Sequence, residues 1–338
     1  RSWHRLVDQG KKLDRMIRLL ADIGGTSIRL GWQTDSDTAV RDATTASCVD
    51  YATAEDALLG YCKARQIKPH FLVLAVAAEI AGTLVDITNN HWRFDAATLA
   101  RAIKARQYLL VNDFTAQALA NSAFLEADFQ PDQSIHKCLR TGYSNPSAPL
   151  LVIGPGTGLG VAALVPTPAG MVVIEGEGGH VSYAPRNAAE HRILAALVAE
   201  YGHVSAERVV SGAGLEALYH HQTGKRLFAP QIGNGAVNGD AACRAAVDMM
   251  MQSFATVVAN AALSFGAGAG IMIAGGIVPK LLDCFGQSGF FERLDDHGRR
   301  SRFLANLPVF VSLDRFAGLK GAAVAADSAF LAGRISPA

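Results

Sequence analysis

The sequence predicts an α/β protein built as two lobes. Its 338 residues exceed the length at which a single hydrophobic core usually stops growing. Short apolar runs of strand length alternate with longer Ala-rich amphipathic stretches. Two glycine-rich turns, each following an apolar run, stand at the starts of the two expected lobes.

The strand-like runs fall at residues 17–21, 71–77, 108–111, 150–153, 171–174, 270–274 and 308–313. Helix-like segments fall at residues 54–65, 115–125, 188–201 and 241–265. Residues 130–148, with Pro131, Gly142, Asn145 and Pro146, read as an insertion or linker, and residues 229–239, with Pro230, Gly233, Asn234, Gly235 and Gly239, as a second loop. No repeat with a period of about 20 to 50 residues is visible.

Thirty-one Lys plus Arg against thirty Asp plus Glu leave a formal net charge of +1. Such a balance provides no field to gather nucleic acid or an anionic membrane, and favours a small-molecule ligand. Cys48, Cys62, Cys138, Cys243 and Cys284 form no closely spaced pair, so neither a disulfide framework nor a zinc site is expected; a reducing, cytoplasmic setting fits. Residues 1–15 lack the apolar stretch of a secretory signal and read as a leader or expression remnant. Residues 253–279 carry no charge and exceed the roughly 20 residues of a membrane span. Asn260, Ser264 and the glycines at 266, 268, 270, 275 and 276 break that run into helix, turn and strand, so no span is expected.

In the first motif, an apolar run enters Asp22-Ile23-Gly24-Gly25-Thr26. Paired glycines let backbone N–H groups face phosphate oxygens, and the carboxylate can orient a magnesium ion with its waters; a plain β-hairpin turn fits equally. The second motif, Gly154-Pro155-Gly156-Thr157-Gly158-Leu159-Gly160, sits between two strand-like runs, and Thr157 can donate to a phosphate. No Lys follows, as a Walker loop requires, and a strand rather than a helix follows, unlike a dinucleotide fingerprint. It too could be a structural hairpin, but two such turns together point to a nucleotide in a cleft between lobes.

Asn112-Asp113-Phe114 ends an apolar run before a helix. Asp113 is either a helix N-cap or a carboxylate facing a ligand. Glu175-Gly176-Glu177-Gly178-Gly179-His180 presents Glu177 and His180 from a turn unsuited to a core, so they can converge on a small polyol. Glu207, before the apolar pair Val209-Val210, is either a solvated first-turn charge or a further ligand group.

Taken together, these motifs resemble the bacterial ATP-dependent glucokinases of the actin-like, ribonuclease-H-like kinase superfamily. The likeness runs from about Met16 to the last helix and includes Thr88, Asn89 and Trp92, the 205–209 segment Ser-Ala-Glu-Arg-Val, Ser211-Gly212 with Gly214-Leu215, and Ala274-Gly275-Gly276-Ile277-Val278-Pro279. It implies an actin/hexokinase-type fold with a cleft between a small lobe (residues 16–123 and 314–338) and a large one (residues 124–313). It implies that Asn112, Asp113, Glu177, His180 and Glu207 hold glucose hydroxyls, with Asp113 also the catalytic base. Asp22, Gly24, Gly25 and Thr26 would form one phosphate turn, Gly156, Thr157 and Gly158 the other, and Gly275 and Gly276 would lie near adenosine. ATP, Mg²⁺, lobe closure on glucose and a homodimer are implied as well.

Three positions depart from the family pattern: Ser27 for Asn, Glu79 for Pro, and Thr83 for an acidic residue. Losing the proline frees a backbone angle close to the sugar cleft. The rival readings are a kinase for another hexose, a glucose-binding regulator with weak turnover, and an actin-like ATPase. About fifteen residues before the first strand are too few for a helix-turn-helix, and an actin-like ATPase has no use for Glu177, His180 and Glu207 together.

Overall fold

The computed structural model describes residues 16–338, apart from positions 36, 38, 79, 81, 88, 89 and 127. The expected leader and the expectations on Glu79, Thr88 and Asn89 lie outside the described residues. The chain lays down β1 (Ile17–Ile23), β2 (Ser27–Thr34), β3 (Arg41–Ser47) and β4 (Phe71–Val76), makes a separate ribbon of β5 (Leu84–Asp86) and β6 (Arg93–Asp95), and returns as β7 (Gln107–Asn112). A second sheet follows from β8 (His136–Arg140), β9 (Leu150–Pro155), β10 (Leu159–Thr167), β11 (Gly170–Gly176), β12 (Gly270–Ile273) and β13 (Val309–Ser312). β14 (Ser336–Pro337) then joins the first sheet.

The two lobes repeat one topology. The first sheet runs β14-β7-β4-β1-β2-β3 and the second β8-β13-β12-β9-β10-β11. In each, an antiparallel meander of three strands (β1–β2–β3, β9–β10–β11) adjoins a parallel trio (β1–β4–β7, β9–β12–β13), and one antiparallel strand closes the edge. The central parallel strands are buried on both faces, which is why they read as unbroken apolar runs rather than as alternations.

On the first sheet, α1 (Ala54–Arg65) and α2 (Ala96–Ala102) pack against Leu19, Ala21, Leu72 and Leu74. The opposite face receives α3 (Asp113–Ala120). The second sheet is covered on its outer face by α4 (Ala188–Tyr201), α5 (Gly212–Thr223), α6 (Ala229–Val237) and α7 (Ala241–Phe265), with α8 (Leu282–Phe285), α9 (Phe290–Asp295) and α10 (Ser301–Ala305) around them. Alternation along the strands divides their side chains: Leu151 and Ile153 face those helices, while Leu150 and Val152 face the other way, toward α3 and α11 (Ala317–Asp327). α3 and α11 therefore lie between the two sheets, in a core that includes Leu20, Val73 and Val111 of one and Val152, Leu164 and Met272 of the other.

The helices at 54–65, 188–201 and 241–265 form over those spans, each opened by a side-chain cap from Thr53, Asn187 or Asp240. The charge-free run at 253–279 is the second half of α7, a turn, β12 and a further turn. α7 is long and apolar enough to cross a membrane, but 67% of its apolar window is buried, because it is the central helix of the large core.

Three expectations need correction. The segment at 115–125 is not one helix: α3 begins at Asp113 and ends at Ala120, and a 3₁₀ turn covers Ser122–Leu125. Residues 229–239 are not a loop: they hold α6, whose Pro230 lies in the first turn, where a missing N–H costs nothing. Gln231 caps the helix by accepting from the Phe228 N–H at 3.0 Å, and Ile232 and Ala236, one turn apart, are buried. Residues 130–148 are not wholly linker, since β8 within them pairs with β13 at the sheet edge.

The α3–α11 contact is backbone against backbone. A Cβ on Gly321 would sit 1.7 Å from the Ala116 carbonyl oxygen, whereas one on exposed Gly60 of α1 would meet nothing within 4 Å. Replacing a helix-interior glycine by alanine ordinarily stabilises by about 0.5–1 kcal/mol. In urea melts, Gly60→Ala is expected to show that gain and Gly321→Ala to lose about 1–3 kcal/mol instead; a gain at both positions would mean the two helices are not in contact there.

Candidate functional site

The parallel strands β1, β4 and β7 deliver their C-terminal ends to one edge of the first sheet, where ligands of open α/β sheets gather. β1 carries Asp22 there, one residue before its end, and β7 ends with Asn112, immediately before α3. Asn112 is the N-cap of α3, its Oδ1 accepting from the Phe114 N–H at 2.8 Å. Asp113 is the first helical residue, not the cap, and its Oδ1 accepts from the same N–H at 2.9 Å.

Asp113 keeps part of its surface open, yet protein surrounds it closely enough to push its carboxyl up to about 7. Burial is the main cause, repulsion from Asp22 comes next, and Glu177 adds a smaller push; the N–H groups of Phe114 and Asp113 itself pull the other way. Asp22 is buried and also raised, by desolvation that its 3.0 Å ion pair with Arg29 only partly offsets. The turn after it is closed by the Gly24 N–H on the Ser27 carbonyl at 3.0 Å and braced by Asn90 Nδ2 on the Gly24 carbonyl at 3.1 Å, leaving Thr26 exposed.

The second lobe brings the rest. Gly154 to Gly160 form the β9–β10 hairpin, its tip closed by the Gly156 N–H on the Gly158 carbonyl at 2.7 Å. Gly212 at the start of α5 donates to the Gly156 carbonyl at 3.0 Å, and Thr157 is exposed at the tip. The Gly275–Gly276 turn packs against the same hairpin, with the Ile277 N–H on the Pro155 carbonyl at 3.2 Å. At Gly160 the absence of a side chain admits the Phe114 ring, which docks the first turn of α3 on β10.

Glu177, His180 and Glu207 form a connected cluster. His180 Nδ1 lies 3.2 Å from Glu177 and Nε2 lies 3.8 Å from Glu207, whose other oxygen accepts from the Leu159 N–H at 2.8 Å. The Glu177 and His180 side chains are 69% and 60% exposed, so they project from the turn toward whatever enters, and Glu207 is tied to the hairpin. A cavity of about 570 Å³ between the lobes is lined by Asn112, Thr115, Glu175 and Glu177, a size suited to a small polar ligand.

The structure thus joins Asn112, Asp113, Glu177, His180 and Glu207 through contacts and shared electrostatics, and sets each glycine turn at the matching hairpin of its own lobe. Of the departures, Thr83 donates to Asp95, the N-cap of α2, and Ser27 closes the first turn with its carbonyl. Sequence reasoning missed Arg29, although a hairpin turning at 24–27 places position 29 opposite Asp22. It also passed over Glu175, Thr115 and Arg334.

With this geometry in place, comparison with known proteins places the chain among its relatives. The glucokinase family model matches residues 19–329. A glucokinase of Neisseria meningitidis serogroup C is 38% identical over 321 residues, covering 92% of this chain and 95% of that protein. The crystal structure of a glucokinase from an Antarctic psychrotroph superposes with a TM-score of 0.77 at 31% identity, over 92% of this chain and 99% of that one. A ROK-family glucokinase of Streptomyces griseus, solved with glucose and AMPPNP, shares the fold at a TM-score of 0.62 and 18% identity, over 91% and 98%. A family model that matches residues 19–329, and relatives above 30% identity covered over almost their whole length, settle the matter: the chain belongs to the glucokinase family.

Proposed function

We propose that the protein transfers the γ-phosphoryl group of ATP to the 6-hydroxyl of glucose, with Asp113 as general base. The observation that carries this reading is Asp113 itself: a partly open carboxyl raised to about 7, at the end of a parallel strand and beside a cavity lined by Asn112 and Glu177. A base poised near neutral pH suits a hydroxyl nucleophile.

Asp113 accepts the hydroxyl proton as the sugar oxygen bonds to the γ-phosphorus and the bond to the β-phosphate oxygen breaks, releasing ADP. Asn112, Glu177, His180 and Glu207 hold the other hydroxyls, the carboxylates accepting and the amide donating. The backbone N–H groups of Gly25 and Thr26, and of Thr157 and Gly158, cradle the phosphates at the turns that Gly24 and Gly156 close, Thr157 adds a hydroxyl donor, and Gly275 and Gly276 border the adenosine. Among the described residues no three acidic, His or Cys side chains form a metal cluster. The oxygen chemistry of buried Asp22 fits a Mg²⁺ held chiefly by the nucleotide's phosphates, where it would offset phosphoryl charge. The lobes, taken as residues 16–123 with 314–338 and residues 124–313, close on glucose and exclude water. The enzyme works as a homodimer in the cytosol, an assembly that sedimentation tests.

ADP release coupled to ATP, Mg²⁺ and a panel of hexoses tests the reaction: glucose should be turned over best, and glucose binding without ADP release would favour a regulator. Asp113→Asn should lower kcat by about two orders of magnitude or more. In the parent, kcat/KM for glucose should climb to a plateau through pH of about 7, as the carboxyl ionises. Stability runs the opposite way. A carboxyl raised from 3.8 to about 7 favours the fold most at low pH and loses that contribution as pH rises through this window. Asp113→Asn should therefore melt above the parent at pH of about 8 and level with it near pH 4; a variant melting below the parent at both pH values would contradict the assignment.

A further inference from the structure

Glu175 is where three elements from both lobes meet. It stands on β11, an edge strand of the second sheet, two residues before Glu177, and both residues line the same cavity. The hydroxyl of Thr115, in the first turns of α3, donates to Glu175 Oε1 at 2.7 Å. One guanidinium nitrogen of Arg334 reaches the same oxygen at 2.9 Å and Oε2 at 2.8 Å.

Arg334 belongs to the first lobe. It precedes β14, whose Ser336 and Pro337 pair with Tyr108 and Gln107 of β7, while Ala338 N–H donates to the Arg106 carbonyl at 3.0 Å. β7 is the strand that delivers Asn112 and, directly after it, Asp113. The Arg334 N–H donates to the carbonyl of fully buried Leu331 at 2.9 Å, and the guanidinium lies over the Phe330 ring, 5.5 Å from its centroid. The pair spans the cavity that Asn112 and Glu177 line, and Arg334 and Glu175 are themselves part of its wall. Glu177, by contrast, touches only His180 among the described ion pairs. Its position depends on where β11 ends.

We propose that Arg334 is a positioning residue for the sugar site: through Glu175 it joins β11 to the strand that carries Asn112, and so fixes Glu177 at the distance from Asp113 at which one sugar can touch both. This rests on the reading of Glu177 as a glucose ligand. Half-exposed ion pairs add little to stability, so the effect belongs to binding geometry rather than to folding.

Steady-state kinetics separate these roles. Arg334→Met is expected to raise KM for glucose about tenfold, with KM for ATP within about twofold and the melting temperature unchanged. Arg334→Lys, which keeps a cation in reach, should recover most of that loss, and Thr115→Val, which leaves the β14 segment intact, should raise KM severalfold by itself. In a Glu177→Gln background, Arg334→Met should add less than about twofold, since its target is gone. If Glu177→Gln raises KM and Arg334→Met does not, or if the two losses multiply in full, the latch is overturned and the sugar site stands. An unaltered KM in Glu177→Gln removes the ligand reading and the latch with it.

Discussion

The structure depends on how closely α3 and α11 approach between the two sheets. Gly321 meets the Ala116 carbonyl directly, and the surrounding layer is Ala118, Ala322, Ala323 and Ala325. Small side chains leave the two helices thin enough to share one layer that both sheets bury. Gly318, near the start of α11, lets that helix come up against the Asp22 carboxylate, and α3 begins with Asp113. The same helix pair that joins the lobes therefore sets both acidic groups at the cleft.

Unlike Asp22, which Arg29 pairs, Asp113 is held by crowding rather than by pairing, and a buried carboxylate elsewhere shows the difference. Glu190, fully buried, receives the Arg186 N–H at 2.7 Å, Asn187 Nδ2 at 2.8 Å and two nitrogens of Arg293 at 2.9 and 3.2 Å. Every lone pair direction is met, so that group ties α4 to α9 and is structural. Among the described residues Asp113 has only backbone donors and faces two like charges. A carboxyl left in that state is costly for the fold and useful to a reaction that needs a proton acceptor near neutral pH.

Much of this was legible in the chain. The central strands announce themselves because burial on both faces makes them continuous apolar runs, and α1, α4 and α7 because their caps and spacing agree. The exposed-to-intermediate β3, Arg41–Ser47, carries no apolar run at all, and its place comes only from pairing with β2. α6 was hidden because Gly233, Gly235 and Pro230 lower helix propensity while two buried side chains outweigh them. The repeated topology left no sequence period, since it lies in the order and direction of strands rather than in residues. At the site, the residues on glycine-rich turns were readable, for such turns have little else to do with polar side chains. Glu175 and Arg334, 159 positions apart, meet only through the fold.

The proposed chemistry turns on the ionisation of one carboxyl, and a ¹³C titration of labelled Asp113, assigned with Asp113→Asn, reads it without reference to turnover. The carboxyl carbon is expected to titrate at about 7 in the free protein. Titration near 4, the ordinary range for aspartate, would contradict it and take away the physical basis for Asp113 as base.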